Sequence, residues 1–359
     1  MGTKLRIGVI GANLQGSWGV SAHLPAIAAL EAVDAVAVAT SRQETAEATA
    51  QRFGIPNAFG DPRALIDHPD VDVVAICVRV PAHRDLVRRA IEAGKHVYCE
   101  WPLARDTAEA QTLLDAAEKA GIVHMVGLQS RSAPVLTYAR DLIAAGEIGR
   151  VRSAGLVHSS DWISAVFPGT EYLQDRSSGA HFLSIPGGHS IDALTWMLGN
   201  FKSLTSVVHT ALNDLTAFGT GAPVKRTSAD QILVAGMLDS GVVASVRLSG
   251  ASSPGIGVRI EINGDKGDLV IMAAAGGRGI QMSNLTLHKS VDPGVLEPVS
   301  VPASYFHTPA SLRANPPMNV GEAYLHMKEA IATGGRASPN FADAVGLHKL
   351  LDQIEMEAI

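Results

Sequence analysis

A glycine turn near the N-terminus carries the first recognisable chemistry. Gly11-Ala12-Asn13-Leu14-Gln15-Gly16 follows the apolar run Leu5–Ile10 and precedes an Ala-rich stretch from Ser17 to Leu30. A strand, a tight Gly turn and a helix together aim backbone N–H groups at a pyrophosphate. Gly11, Asn13, Leu14 and Gly16 are therefore expected to hold a dinucleotide. Asn13 stands at the middle glycine position of G-x-G-x-x-G and is expected to serve there through its tolerance of left-handed backbone. The blander alternative is a Gly-rich turn that binds nothing. The second apolar run, Val33–Ala39, ends in Thr40-Ser41-Arg42, with no carboxylate for a ribose 2′-OH. A hydroxyl followed by a guanidinium suits a 2′-phosphate, so Ser41 and Arg42 favour NADP, with NAD the alternative. Arg42 as a merely solvated helix-start residue is the plain competing reading.

Acid–base chemistry points further along. An imidazole, with an ordinary pKa of about 6.5, accepts and returns protons near neutrality. His189 opens a helical pattern, and Asp192 lies three residues on, on the same helix face, where a carboxylate could fix the ring's orientation. His181, in the Gly179-Ala180-His181 turn, and the His158/Asp161 pair are further candidates. Each is also readable as a buried structural or surface residue. No His-x₃-His or Cys cluster is present, so no metal is expected.

The elements that must position these residues alternate in the first third of the chain. Strands at Leu5–Ile10, Val33–Ala39, Val71–Val78, Lys95–Cys99 and Val123–Val126 are separated by helical stretches 17–30, 44–53, 85–93 and 107–120. That order implies right-handed crossovers and one doubly wound parallel sheet. The pattern then changes. After a helix over 134–145, strands crowd together at Val151–His158, Ser203–Thr210, Ala229–Leu238, Val242–Ser249, Val258–Asn263 and Asp268–Met272. Turns at 239–241 and 264–267 mark hairpins. Helical patterns return at 188–198, 321–332 and 342–359, and Val291–Pro317 reads as a long surface loop. The expected organisation is α/β: a Rossmann domain over 1–126, then an α+β domain over 127–359 with a large, mostly antiparallel open sheet. The last helix is a candidate to pack back on the first domain.

Composition sets the outer limits. Among 359 residues, 29 Lys and Arg against 35 Asp and Glu leave a formal charge of −6, which argues against nucleic acid or an anionic membrane as partner. With 47% hydrophobic and 18% charged residues, wholesale disorder is excluded. Two cysteines, Cys77 and Cys99, make no disulfide framework and suit a reducing cytoplasm. No apolar run is long enough to span a membrane, and no small-residue cleavage site precedes His23.

The segment Val73–Pro102, VVAICVRVPAHRDLVRRAIEAGKHVYCEWP, resembles the glucose–fructose oxidoreductase / inositol dehydrogenase family. In that family a third strand ends in a Pro-containing loop and His, and a fourth runs through Gly-Lys-His-Val into Glu-Lys-Pro. Gly127-Leu128-Gln129-Ser130-Arg131, the Gly-Glu-Ile-Gly at 146–149 and Gly188-His189-Ser190-Ile191-Asp192 agree, so the resemblance covers nearly the whole chain. It implies hydride transfer between a nicotinamide cofactor and a hydroxyl carbon of a sugar, cyclitol or glycoside. It also implies a dimer or tetramer built through the second domain's sheet. By family position, Arg79, Val80, His83, Glu100, Trp101, Pro102 and Gln129 are expected at the cofactor. Trp101, Arg131, His158, Asp161, His181 and His189 are expected at the substrate, with His189, His181 and Asp192 as the catalytic set.

Two departures matter chemically. Glu-Lys-Pro is here Glu100-Trp101-Pro102, which removes an ammonium and adds a flat apolar face. The family's Asp four residues before the catalytic His is here Ile185. With Asn13 and Trp18, these changes resemble the branch that includes the fungal co-repressor of galactose genes, a dinucleotide-binding regulator. Three expectations stand side by side: an NADP-dependent oxidoreductase, a non-catalytic regulator, and a glycoside-cleaving enzyme that returns its hydride with no net cofactor turnover.

Overall fold

The apolar runs of the first third lack the alternation of a one-sided sheet, and the computed structural model shows why. Its described residues are 4–251, 257–273, 279–290, 294–313 and 316–359. In the first unit, β1 (Leu5–Ile10), β2 (Val33–Ala39), β3 (Asn57–Phe59), β4 (Val73–Ile76), β5 (His96–Glu100) and β6 (His124–Gly127) form one parallel sheet in the order β3-β2-β1-β4-β5-β6. Helices α1 (Leu24–Ala29), α2 (Gln43–Phe53), α3 (Pro62–Ile66), α4 (His83–Glu92) and α5 (Thr107–Ala120) connect these strands. All four residues of β4 are buried, as a strand covered on both faces must be. The stretch expected to be one helix from Ser17 begins instead as a π-helical turn, Gly19–His23, and becomes α-helical only at Leu24, with Pro25 in its first turn.

The chain divides into two compact units, 1–129 with 306–348, and 130–305 with 349–359. A continuous second domain over 127–359 therefore needs correction, and the helix Pro317–Thr333 (α8) supplies the reason. Val320, Tyr324 and Met327 of Pro317–Thr333 are fully buried with Ile7, Val9, Leu24 and Tyr98 in the first unit's core. Removing so much apolar surface from water outweighs sequence proximity.

The second unit opens with α6 (Pro134–Ala144) and β7 (Val151–Ser159), and α7 (Gly188–Leu198) follows a π-helical turn at Leu183–Gly187. Further strands follow in chain order: β8 (Phe201–His209), β9 (Asp214–Thr216) and β10 (Pro223–Lys225), the last two a small separate hairpin, then β11 (Gln231–Leu238), β12 (Val243–Ser249), β13 (Val258–Gly264), β14 (Asp268–Ala273), β15 (Leu285–Ser290) and β16 (Glu297–Val299). The eight-stranded order is β16-β15-β14-β13-β7-β12-β11-β8, antiparallel except for β7 beside β12. Along β11 burial alternates: Ile232 and Val234 face the core, while Leu233 and Met237 face outward. Val207 pairs with Leu233 and Val243 with Met237, so these four apolar residues, 39–61% exposed, share the open face. The expected loop at Val291–Pro317 contains β16 and two short 3₁₀ turns; residues 291–293 and 314–315 of it lie outside the described set. The last helix is α9 (Phe341–Met356).

Candidate functional site

The C-terminal edge of the first sheet carries the candidate residues of the first unit. There β1 ends in Gly11 at φ +93°, and a Cβ at that position would lie 2.4 Å from the carbonyl oxygen of Cys77. Only glycine fits that turn. Gly16, at φ +107°, has nothing within 4 Å of where a Cβ would project, which leaves open space beside the turn. Asn13 differs from expectation. Ala251 is the one described non-Gly residue with positive φ, so Asn13 does not take left-handed backbone. Its side-chain oxygen instead accepts from the N–H of Gln15 (3.1 Å), and its own N–H donates to Ser17 Oγ (2.8 Å). The amide closes the turn by hydrogen bonding, which is the other way Asn stabilises turns. Leu14 is exposed at its tip.

A cleft of about 900 Å³ opens at this edge, lined by Gly11, Thr40, Ser41, Arg63, Val78 and Arg89 among others. Its size and placement, where strand order reverses between β1 and β4, suit a dinucleotide. Ser41 is exposed in the cleft wall, and Arg42 is exposed where it caps α2 from extended backbone. Thr40 is buried, its hydroxyl hydrogen-bonded to Thr45 (2.6 Å) and donating to the Arg42 carbonyl (2.9 Å). The backbone after β2 is therefore fixed. Arg79 is exposed, Val80 is buried, and His83 lies beneath them at 1% exposure. The two nitrogens of His83 face the carbonyls of Pro102 (Nδ1, 2.8 Å) and Val78 (Nε2, 2.9 Å). His83 thus clamps two loops together, and burial pulls its pKa down against those carbonyls.

Glu100 ends β5 at the heart of a buried polar chain. His23 Nε2 meets Glu100 Oε1 at 2.8 Å, and His23 Nδ1 meets the Tyr324 hydroxyl at 2.7 Å. The Gln129 amide donates to both Glu100 oxygens, at 2.8 and 2.6 Å. Gly127, the cross-strand partner of Glu100, makes this possible: a Cβ there would sit 2.6 Å from the carboxylate. Nothing in the spacing of the sequence links positions 23, 100 and 324, so sequence reasoning missed His23 and Tyr324. Trp101, 5% exposed, packs its indole on the His348 ring at 4.7 Å, and Pro102 beside it is also buried.

The second unit holds the histidines. His158 is fully buried on β7, with Nδ1 2.9 Å from the hydroxyl of Ser190. His189, next to Ser190 on α7, is 3% exposed, and its Nδ1 has no hydrogen-bond partner among the described residues. Burial pushes the pKa of His189 down to about 3, reinforced by His158, and that of His158 down to about 4. His181 is also pushed to about 4 by burial; its backbone N–H donates to Ser184 Oγ at 2.8 Å. All three imidazoles are neutral at physiological pH, the form that accepts a proton. Asp161 is exposed beyond the end of β7.

The expectation that Asp192 orients His189 requires correction. Asp192 is buried and accepts from Arg131, with Nη2 2.6 Å from Oδ1 and Nε 3.0 Å from Oδ2. A forked guanidinium outcompetes a neutral imidazole for a carboxylate, whatever helix face the two share. Arg131 in turn is largely buried rather than offered to solvent. A second buried hub also escaped the sequence: Arg226 is fully buried, bonded to Gln174 (2.8 Å), Asp230 (2.9 Å) and the Ile163 carbonyl. Among the described residues no group of three or more His, Cys, Asp or Glu could hold a metal, and no helix is long and apolar enough to cross a membrane.

Comparison with known proteins agrees with both halves. Residues 5–128 match the oxidoreductase family with an NAD-binding Rossmann fold, and residues 134–273 match the Gal80p C-terminal domain. Levoglucosan dehydrogenase from Pseudarthrobacter phenanthrenivorans is 28% identical over 382 residues, 98% of this chain and 95% of that protein. A structure of levoglucosan dehydrogenase with NADH and levoglucosan superposes with a TM-score of 0.84 at 27% identity, covering 99% of this chain and 97% of that one. The galactose/lactose metabolism regulatory protein of Saccharomyces cerevisiae is 27% identical over 307 residues, 80% of this chain and 70% of its own length. A super-repressor mutant of Gal80p shares the fold, with a TM-score of 0.86 at 23% identity over 99% of this chain and 96% of that one. A dehydrogenase of Aspergillus oryzae is 33% identical over 218 residues, which span 59% of this chain and 59% of its relative.

Proposed function

We propose that the chain, whose residues 5–128 match the oxidoreductase family with an NAD-binding Rossmann fold, is a Gfo/Idh/MocA-type oxidoreductase that oxidises or reduces a hydroxyl carbon of a sugar, cyclitol or glycoside. The bound nicotinamide would accept or return the hydride. The turn from Gly11 to Gly16 and the cleft walls at Ser41 and Val78 would hold the dinucleotide. Ser41 and Arg42, with no carboxylate after β2, favour NADP over NAD.

The observation that carries the enzymatic reading is the neutral imidazole of His189, whose Nδ1 has no hydrogen-bond partner among the described residues. A neutral imidazole at the family's catalytic position is the form that would take the alcohol proton as the hydride leaves carbon. His158 and His181 are the neighbouring imidazoles proposed to contact the sugar, with Asp161, Arg131 and Trp101 as further substrate candidates. The open face carrying Val207, Leu233, Met237 and Val243 is proposed to pair with a second copy of the chain, as a dimer or tetramer.

One observation favours the regulatory alternative: Trp101 and Ile185 replace the family's Lys and Asp, while the second half matches the Gal80p domain. The test is to incubate the protein with NADP or NAD and a panel of aldoses, cyclitols and levoglucosan-like glycosides, following reduced cofactor and sugar products separately. Reduced cofactor that appears with sugar and disappears in His189→Gln supports the oxidoreductase. Product without net reduction identifies a hydride-returning glycoside cleavage. Tight dinucleotide binding with neither result identifies a regulator.

A further inference from the structure

The Glu100 chain has a polarity that can be read from its donors and acceptors. Tyr324 is fully buried, and its pKa is raised well above the usual phenol by burial, so it keeps its proton. That buried O–H faces one acceptor, His23 Nδ1 at 2.7 Å. His23 Nδ1 therefore carries no proton, and Nε2–H donates to Glu100 at 2.8 Å. Glu100 then accepts one N–H from His23 and two bonds from the Gln129 amide, a set of donors that an ionised carboxylate satisfies and a protonated carboxyl does not. The family's ammonium at the next position is an indole here, turned onto His348. The Glu100 carboxylate, its side chain 12% exposed, is thus fixed by hydrogen bonds, and among the described residues no Lys or Arg is bonded to it. An anion so placed attracts positive charge at the edge it borders.

That edge is the C-terminal end of β5, on the far side of the β1/β4 crevice from Ser41. A dinucleotide anchored by its adenosine end at β2 and its pyrophosphate at β1 runs its nicotinamide toward β4 and β5. The ring is cationic when oxidised and neutral when reduced. From this geometry we infer that Glu100, oriented by His23, Tyr324 and Gln129, is a redox-state selector that holds the oxidised cofactor in preference to the reduced one. The inference rests on the dinucleotide reading above.

The test is equilibrium binding of the oxidised and reduced forms of NADP and NAD to the full chain, by calorimetry and by nucleotide fluorescence, with no substrate present. Glu100→Gln, which keeps the shape and removes the charge, is expected to weaken the oxidised form by about tenfold while leaving the reduced form within about twofold. Glu100→Asp, which keeps the charge, is expected to retain most of the preference. An unchanged oxidised-to-reduced ratio in folded Glu100→Gln overturns the inference. Should that variant not fold, the wild-type ratio decides: binding the reduced form tenfold or more tightly than the oxidised one also overturns it. Failure of wild type to bind either form instead overturns the dinucleotide reading itself.

Discussion

Arg131 and Asp192 form a forked ion pair, with Nη2 and Oδ1 2.6 Å apart and the two side chains only 12% and 2% exposed. The pair joins the start of the second unit to α7, the helix that carries His189. Breaking one side of it strands a charge in low dielectric, which costs about 3–5 kcal/mol. Arg131→Met should therefore lower the urea midpoint sharply. Arg131→Met with Asp192→Leu should recover much of the loss. Equal stability of the single and double variants would show that the pair is not a buried charge pair.

Folding takes three histidines from an ordinary pKa of about 6.5 to about 4, 4 and 3, at His158, His181 and His189. The folded values are depressed, so the unfolded chain binds more protons as pH falls below about 6.5. Stability is complete above that value and declines on acidification toward the folded values, by up to about 1.4 kcal/mol per pH unit for each group. Urea midpoints measured from pH 7.5 to 4.5 should show this slope, and His158→Gln should reduce it. A flat profile contradicts the burial of these rings.

Gly11 and Gly16 should respond differently to alanine. At Gly11 the added methyl meets the Cys77 carbonyl at 2.4 Å in left-handed backbone, and a loss of about 3 kcal/mol or more in folding stability is expected. At Gly16 the methyl enters open space, so backbone strain alone, about 1–2 kcal/mol, remains. Thermal melts of the two variants should separate clearly, and dinucleotide affinity should fall in both.

Cofactor preference is testable at one side chain. Arg42→Ala should weaken NADP binding by about tenfold and leave NAD nearly unchanged, because a surface guanidinium opposite a phosphate contributes about 1–2 kcal/mol. Parallel calorimetric titrations decide this. Equal losses for both nucleotides would remove Arg42 from any role at the 2′ position.

The outward face of the second sheet provides a test of assembly. Leu233→Asp or Val243→Asp sits on an exposed strand position and should scarcely alter folding. Either should convert a dimer or tetramer to smaller species in analytical ultracentrifugation. A wild-type chain that sediments as a monomer would refute self-pairing through this face.

Punctuated elements were legible in the sequence. Strand Val33–Ala39 and helices Thr107–Ala120 and Gly188–Leu198 match their expected bounds, because turns or glycines stop each pattern. The three-residue strands β3, β9, β10 and β16 are too short to show a period, and the Thr, His, Lys and Ser of β15 do not read as a strand. At the site, the glycine turn and the helix-borne histidine could be read locally. The bonds of Glu100 to His23 and of Arg131 to Asp192 depend on the tertiary fold, and the helix spacing of His189 and Asp192 gives no sign that Asp192 bonds Arg131.

Strand β7 lies in the middle of its sheet, yet both of its neighbours come much later in the chain: Ser153 pairs with Val243, and Leu156 with Ile260. During synthesis β7 emerges with both edges bare and must wait for most of the second unit before either is covered. The nascent chain is thus most exposed to aggregation or proteolysis in that interval. A premature stop between Gly127 and Val243 would release a polypeptide whose first unit lacks the core residues of α8 and whose second sheet is unclosed, the kind of product that chaperones and proteases remove.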